Sequence, residues 1–114
     1  METIVGKQSI RFQKAPHIVS AASVVGKKEG EGPLGAQFDE IEQDPKAGQN
    51  TWEEAESALQ KRAATMAMEK MPAGLPPVRY LFSGDLLGQL IATSFGVMDL
   101  KLPLFGLYGA CSTI

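Results

Sequence analysis

A chain of 114 residues with 44% hydrophobic content can fill the core of one domain, which argues against wholesale disorder. Its 11 basic and 13 acidic residues leave a net charge of −2, without the electrostatic footprint of a nucleic-acid binder. One cysteine excludes an internal disulfide framework and a cysteine-only zinc site, and one histidine excludes a multi-histidine metal cluster.

Residues 8–12 alternate weakly and predict a short edge strand. Residues 17–25 (HIVSAASVV) are rich in β-branched and small side chains, follow Pro16 and end at Gly26. They predict a buried strand. Residues 26–35 carry four glycines and a proline and read as a loop. Residues 38–44 are acidic and predict a short helix, broken by Pro45, Gly48 and Asn50. Glu40, Glu42 and Asp44 read as its solvated face.

Residues 51–71 predict the clearest helix. Thr51 and Glu54 form a capping-box pattern, in which each side chain reaches the other's free amide. Trp52, Ala55, Leu59, Ala63, Met66 and Ala67 recur at three- and four-residue steps and make one apolar face, with Trp52 as an anchor. Met66, Met68 and Met71 read as gap-filling core. Pro72, Gly74, Pro76 and Pro77 end the helix.

Residues 78–83 (VRYLFS) predict a second strand. Asp85 is placed to cap a helix over residues 86–98. That helix is apolar nearly all round, which implies burial on both sides. Residues 104–108 predict a third strand, delivering Gly109, Ala110 and Cys111. Residues 80–114 hold three charged side chains, Asp85, Asp99 and Lys101, and read as buried interior. The order strand, helix, strand, helix, strand calls for an α/β fold with a mainly parallel sheet.

The longest uncharged stretches, 86–98 and 102–114, have 13 residues each, short of the roughly 20 a spanning helix needs. No signal peptide is visible at the N-terminus. Attachment to a membrane would therefore run through partners. No metal site or cofactor is assigned.

In open α/β sheets, ligands sit beyond the carboxyl ends of the strands. The sequence delivers the Cys111 thiol to such a place and predicts no helix after it. The chain is therefore expected to be the first part of a larger fold, residues 1–114 forming the N-terminal portion of one incomplete domain. By position Cys111 reads either as a functional thiol or as a small buried residue. Ser112 and Thr113 offer hydroxyls and amides that suit a carboxylate or a helix cap. Lys27 and Lys28 lie just past the first strand's carboxyl end, as ligand-facing or solvated charges. His17, at the start of that strand, reads as an edge residue. The glycines at 30 and 32 do not make a phosphate loop, because no Gly-Lys-Ser/Thr ending follows.

Four stretches taken together, SAASVVGKKEGEGPL (20–34), TWEEAES (51–57), YLFSGDLLGQ (80–89) and PLFGLYGACST (103–113), resemble the stage V sporulation protein AD family of the thiolase-like superfamily. The resemblance covers nearly the whole chain but only the N-terminal third of such a protein. It implies a thiolase-like layered fold, a homodimer, and non-catalytic binding of dipicolinic acid during its uptake into the developing spore. It also implies other proteins of the same spore uptake system as partners and a peripheral place at the spore inner membrane. Lys28, Cys111 and Ser112 are the ligand-binding candidates, and no residue is assigned to catalysis. The alternative is a thiolase-like acyltransferase or condensing enzyme with Cys111 as nucleophile. A third reading, a structural scaffold within a membrane-associated complex, is compatible with the first. Two positions depart from the family pattern. Gly88 stands where asparagine is expected, at a cost of about 1 kcal/mol if it lies inside a helix, and Lys27 stands where proline is expected.

Overall fold

The computed structural model describes residues 3–113. A hairpin leads: β1 (Thr3–Val5) and β2 (Ser9–Arg11) pair antiparallel with Ile4 opposite Ile10. Only the second of these strands was expected from the alternation. Residues 17–23 are not strand. Only Val24–Gly26 (β3) enters a ladder, and Ile18 stands 92% exposed. The β-branched residues upstream have the propensity but, among the described residues, no neighbouring strand to pair with, and propensity without a partner does not make a sheet.

The predicted glycine loop opens with a helical turn, α1 (Lys27–Gly30), followed by a 3-10 turn at Gly35–Gln37. The chain then returns as β4 (Glu40–Glu42), parallel to β3 with Val25 beside Ile41. The acidic segment is therefore a strand, not a helix. Its period of two explains the sequence better than a solvated helical face does. Ile41 covers Gly30, where a Cβ would lie 2.4 Å from its Cγ2. Glu40 and Glu42, two residues apart, both reach Arg62.

Helix α2 (Trp52–Glu69) forms as predicted. The Thr51 hydroxyl accepts from the Glu54 N–H at 3.2 Å, and the Thr51 N–H donates to Glu54 Oε2 at 3.0 Å. This closes the capping box, worth about 1 kcal/mol. Most of α2 is half-buried, because neighbours approach it from two sides. The Ser20 hydroxyl donates to the Ala67 carbonyl at 2.7 Å from the segment before β3. The Ser57 hydroxyl donates to the Ala92 carbonyl at 2.6 Å on the other side. Trp52 is not an anchor. It is 53% exposed, with the Lys46 ammonium 5.4 Å from its ring centre.

The last third contains β5 (Leu81–Ser83), α3 (Ile91–Val97), a 3-10 turn at Met98–Leu100 and β6 (Leu104–Gly106). β5 and β6 pair in parallel, Phe82 beside Phe105, so the strand–helix–strand crossover is present. The fold is mixed α/β with parallel pairing, as the pattern predicts. That pairing is divided between two separate two-stranded ladders.

The predicted helix over 86–98 begins five residues late. Gly88, Gln89 and Leu90 have φ of 80°, 53° and 74°, three left-handed residues in succession. Gly88 therefore carries no mid-helix penalty. It sits where glycine is at ease and where asparagine is among the better tolerated side chains. α3 packs on α2 through Ala92, Thr93, Gly96 and Val97, all buried. A Cβ on Gly96 would lie 2.7 Å from the Ser57 carbonyl oxygen, so the two backbones touch closely and the core is built of small residues. The opposite face of α3 is open. Phe95 is 66% exposed, and Ile91 and Met98 are exposed beside it. The expectation that this region is buried interior does not hold within residues 3–113. Among the described residues, no helix is long and apolar enough to cross a membrane.

Candidate functional site

Each parallel ladder ends in a short helical turn, and the sequence-predicted site residues lie on those turns. At the first ladder, Gly26 passes directly into Lys27 and Lys28, both exposed. Lys27 pairs with Glu31 at 3.8 Å, an exposed contact worth about 0–1 kcal/mol. That contact turns the Glu31 carboxylate toward Lys27. Among the described residues Lys28 has no ion-pair partner. Both lysines line an open groove of about 350 Å³ with Gly26, Glu31 and Pro45.

At the second ladder, the Leu107 N–H donates to the Ser83 carbonyl at 2.9 Å, carrying the pairing one residue past β6. Gly109 adopts a φ of 60°, and the chain turns into α4 (Ala110–Thr113). A helical turn therefore does follow the strand, where the sequence predicted none. Cys111 lies in it with its thiol exposed, so the buried-residue reading fails. The side chain of Ser112 lies outside the described residues. Among the described residues, no hydrogen bond or ion pair joins Cys111 to His17, Lys28 or a carboxylate. His17 is exposed in the segment before β3. Lys28 thus follows the first strand of one ladder and Cys111 the second strand of the other, and the groove beside Lys28 does not include Cys111.

Asp85 is the polar centre that sequence reasoning placed only as an adjacent cap. Its side chain is 6% exposed. Oδ1 accepts from the Leu90 N–H at 3.2 Å, and Oδ2 accepts from the Thr93 N–H at 2.9 Å and the Thr93 hydroxyl at 2.5 Å. Burial opposes ionisation of this carboxyl. The donors of Thr93 and Leu90 outweigh it and hold its pKa below the ordinary value. Thr93, fully buried, carries no signal in the sequence, because the bond spans eight positions.

Three charged contacts tie α2 to its neighbours. Arg62 reaches Glu42 at 2.6 Å and also Glu40, so these acids are not a solvated face. Lys70 pairs with Asp39, which also accepts from the Ser23 N–H at 2.8 Å. Lys70 first and then the Ser23 amide lower the Asp39 pKa. Lys61 pairs with Asp99. A groove of about 470 Å³ runs along the α2–α3 seam, lined by Glu53, Ser57, Lys61, Ile91, Phe95 and Asp99 among others, away from both helical turns.

Comparison with known proteins decides the family. The sequence model of the family described as stage V sporulation protein AD matches residues 6–114. The chain belongs to the stage V sporulation protein AD family. It is 34% identical over 110 residues to the stage V sporulation protein AD of Bacillus subtilis (strain 168). The aligned part is 96% of this chain and 32% of that relative, so the chain spans about a third of the relative's length. As a member of this family it is a sporulation protein. The matched range includes both helical turns, with Lys28 and Cys111, and the Asp85 turn.

Proposed function

We propose that this protein binds dipicolinic acid, pyridine-2,6-dicarboxylate, without chemistry on it, and serves its uptake into the developing spore. The observation that carries the reading is the unpaired Lys28 ammonium at the carboxyl end of β3. Parallel strands present ligands there, and a cation suits a dianion. The exposed Cys111, on the turn after β6 of the other ladder, is the second contact of this reading. A nucleophilic role would need a base or a positive neighbour, and none bonds to the thiol among the described residues. The protein acts as a homodimer, held peripherally at the spore inner membrane by other proteins of the same uptake system.

Calorimetric titration of the intact protein with dipicolinate tests this. Binding that weakens about tenfold in Lys28→Gln and survives in outline in Cys111→Ala supports the reading. Loss of a charge-assisted contact of about 1.5 kcal/mol gives that factor. An acyl-enzyme formed at Cys111 from an acyl thioester, with no affinity for dipicolinate, would transfer the assignment to a thiolase-like acyltransferase. That alternative is favoured by one observation, the placement of Cys111 in the first turn after a parallel strand.

A further inference from the structure

The turn between β5 and α3 holds a conflict between sequence and backbone. Asp85 followed by Leu86, Leu87, Gly88, Gln89 and Leu90 has the pattern of a capped helix start. A standard cap would bond the amides of residues two or three positions on. The Asp85 carboxylate instead bonds the Leu90 amide and, eight positions on, the Thr93 amide and hydroxyl. Between these anchors the chain makes three left-handed residues, two of them not glycine. Each such residue is disfavoured, and such conformers persist only where the surroundings hold them.

A second anchor holds Leu90. A Cβ built on Gly106 would lie 2.9 Å from Leu90 Cδ1, so the leucine rests on the backbone at the carboxyl end of β6. Gly106 is the last residue of the strand that leads to Cys111. Leu90 is only half-buried, and Leu86 and Leu87 before it are exposed, so among the described residues the leucines of the turn are not packed over from outside.

The geometry points to a gate. Gly88–Gln89–Leu90 is a latched turn that keeps Leu90 over the carboxyl end of β6. Release from Asp85 frees the Leu90 and Thr93 amides to exchange, lets residues 86–90 leave the left-handed turn and lifts Leu90 off Gly106. The gate rests on the proposed site only in placing ligand chemistry beyond β6, and its own test uses no ligand.

Hydrogen exchange on the intact protein, read at the Leu90 and Thr93 amides against Ala63 in mid α2, tests it. In the unsubstituted protein, Leu90 and Thr93 exchange through an opening that leaves Ala63 protected. Gln89→Gly removes one left-handed penalty and slows their exchange about fivefold, and Gly88→Ala adds one and speeds it about fivefold. A Cβ on Gly88 lies 3.3 Å from Glu53 Cγ, a flexible atom that can move, so this variant folds. Ala63 does not change in either. Exchange of Leu90 and Thr93 at the rate of Ala63 in all three proteins overturns the gate, as does a shift of the same sign in both variants. Loss of dipicolinate binding in the calorimetric test, with these exchange shifts intact, would sink the ligand assignment and leave the gate standing.

Discussion

The two parallel ladders are built alike and finished differently. In each, a strand pairs with the next through a crossover and ends in a helical turn. The β3–β4 ladder is bound to α2 by charge: Arg62 holds Glu40 and Glu42, and Lys70 holds Asp39. The β5–β6 ladder has the buried Asp85 beside it and one neutral tie to α2, the Ser83 hydroxyl donating to Gln60 Oε1 at 3.2 Å, while its aromatic face stays open. Phe82 and Phe105 stack with ring centres 4.9 Å apart, yet both are half exposed or more. One ladder is completed by its own chain, and the other is shaped to be covered. Monomers rarely leave contiguous apolar surface of this extent in water.

The largest expected effect follows from that contrast. The 114-residue chain expressed alone should self-associate or bind hydrophobic dyes, with size-exclusion chromatography as the check. Glutamine at Phe95 and Phe105 together should reduce the association. A monodisperse wild-type monomer with a cooperative melt would remove the distinction between the ladders.

Asp85→Ala comes next. It leaves two amides and the Thr93 hydroxyl without their acceptor in a buried place. The intact protein should lose about 3 kcal/mol in denaturant melts. The pH dependence has a definite sign. The folded Asp85 pKa lies below the ordinary carboxylate value of 3.8, so its stabilisation is full above that value and is lost as pH falls through the lower, folded one. Asp85→Asn should flatten the acid limb of the stability curve. An unchanged limb would assign acid sensitivity to other carboxylates.

Gly96→Ala sharpens the picture of the α2–α3 seam. The new methyl meets the Ser57 backbone, which cannot swing aside, and should cost about 2 kcal/mol of overpacking. The smallest effect belongs to the polar ladder. Arg62→Ala should cost about 1 kcal/mol, since the guanidinium is partly exposed, and 1 M salt should shrink the difference. A larger, salt-independent loss would mean that Arg62 acts by packing.

Local chemistry was legible in the sequence, and pairing at a distance was not. The capping box at Thr51 and Glu54 and the helix it starts are contained within a few residues and appear as read, although Trp52 is exposed rather than an anchor. The α/β class and its parallel strands followed from element order. Residues 38–44 were misread because four acids in seven residues suggest a solvated face. Nothing local says that Arg62, twenty positions on, will meet two of them. Residues 86–90 were read as helix because their propensities favour it. The Asp85–Thr93 contact and the seat of Leu90 on Gly106 override that preference. Cys111 and Lys28 were legible as strand-end residues. Their distribution over two ladders depends on tertiary placement, which spacing does not encode.

Whether the two strand-end turns, different in chemistry, serve one ligand as proposed is decided by hydrogen exchange of the intact protein with and without saturating dipicolinate. Increased protection is expected at both residues 27–31 and residues 110–113, with β1 and β2 unchanged. Protection at neither turn, or a change spread evenly along the chain, would contradict it.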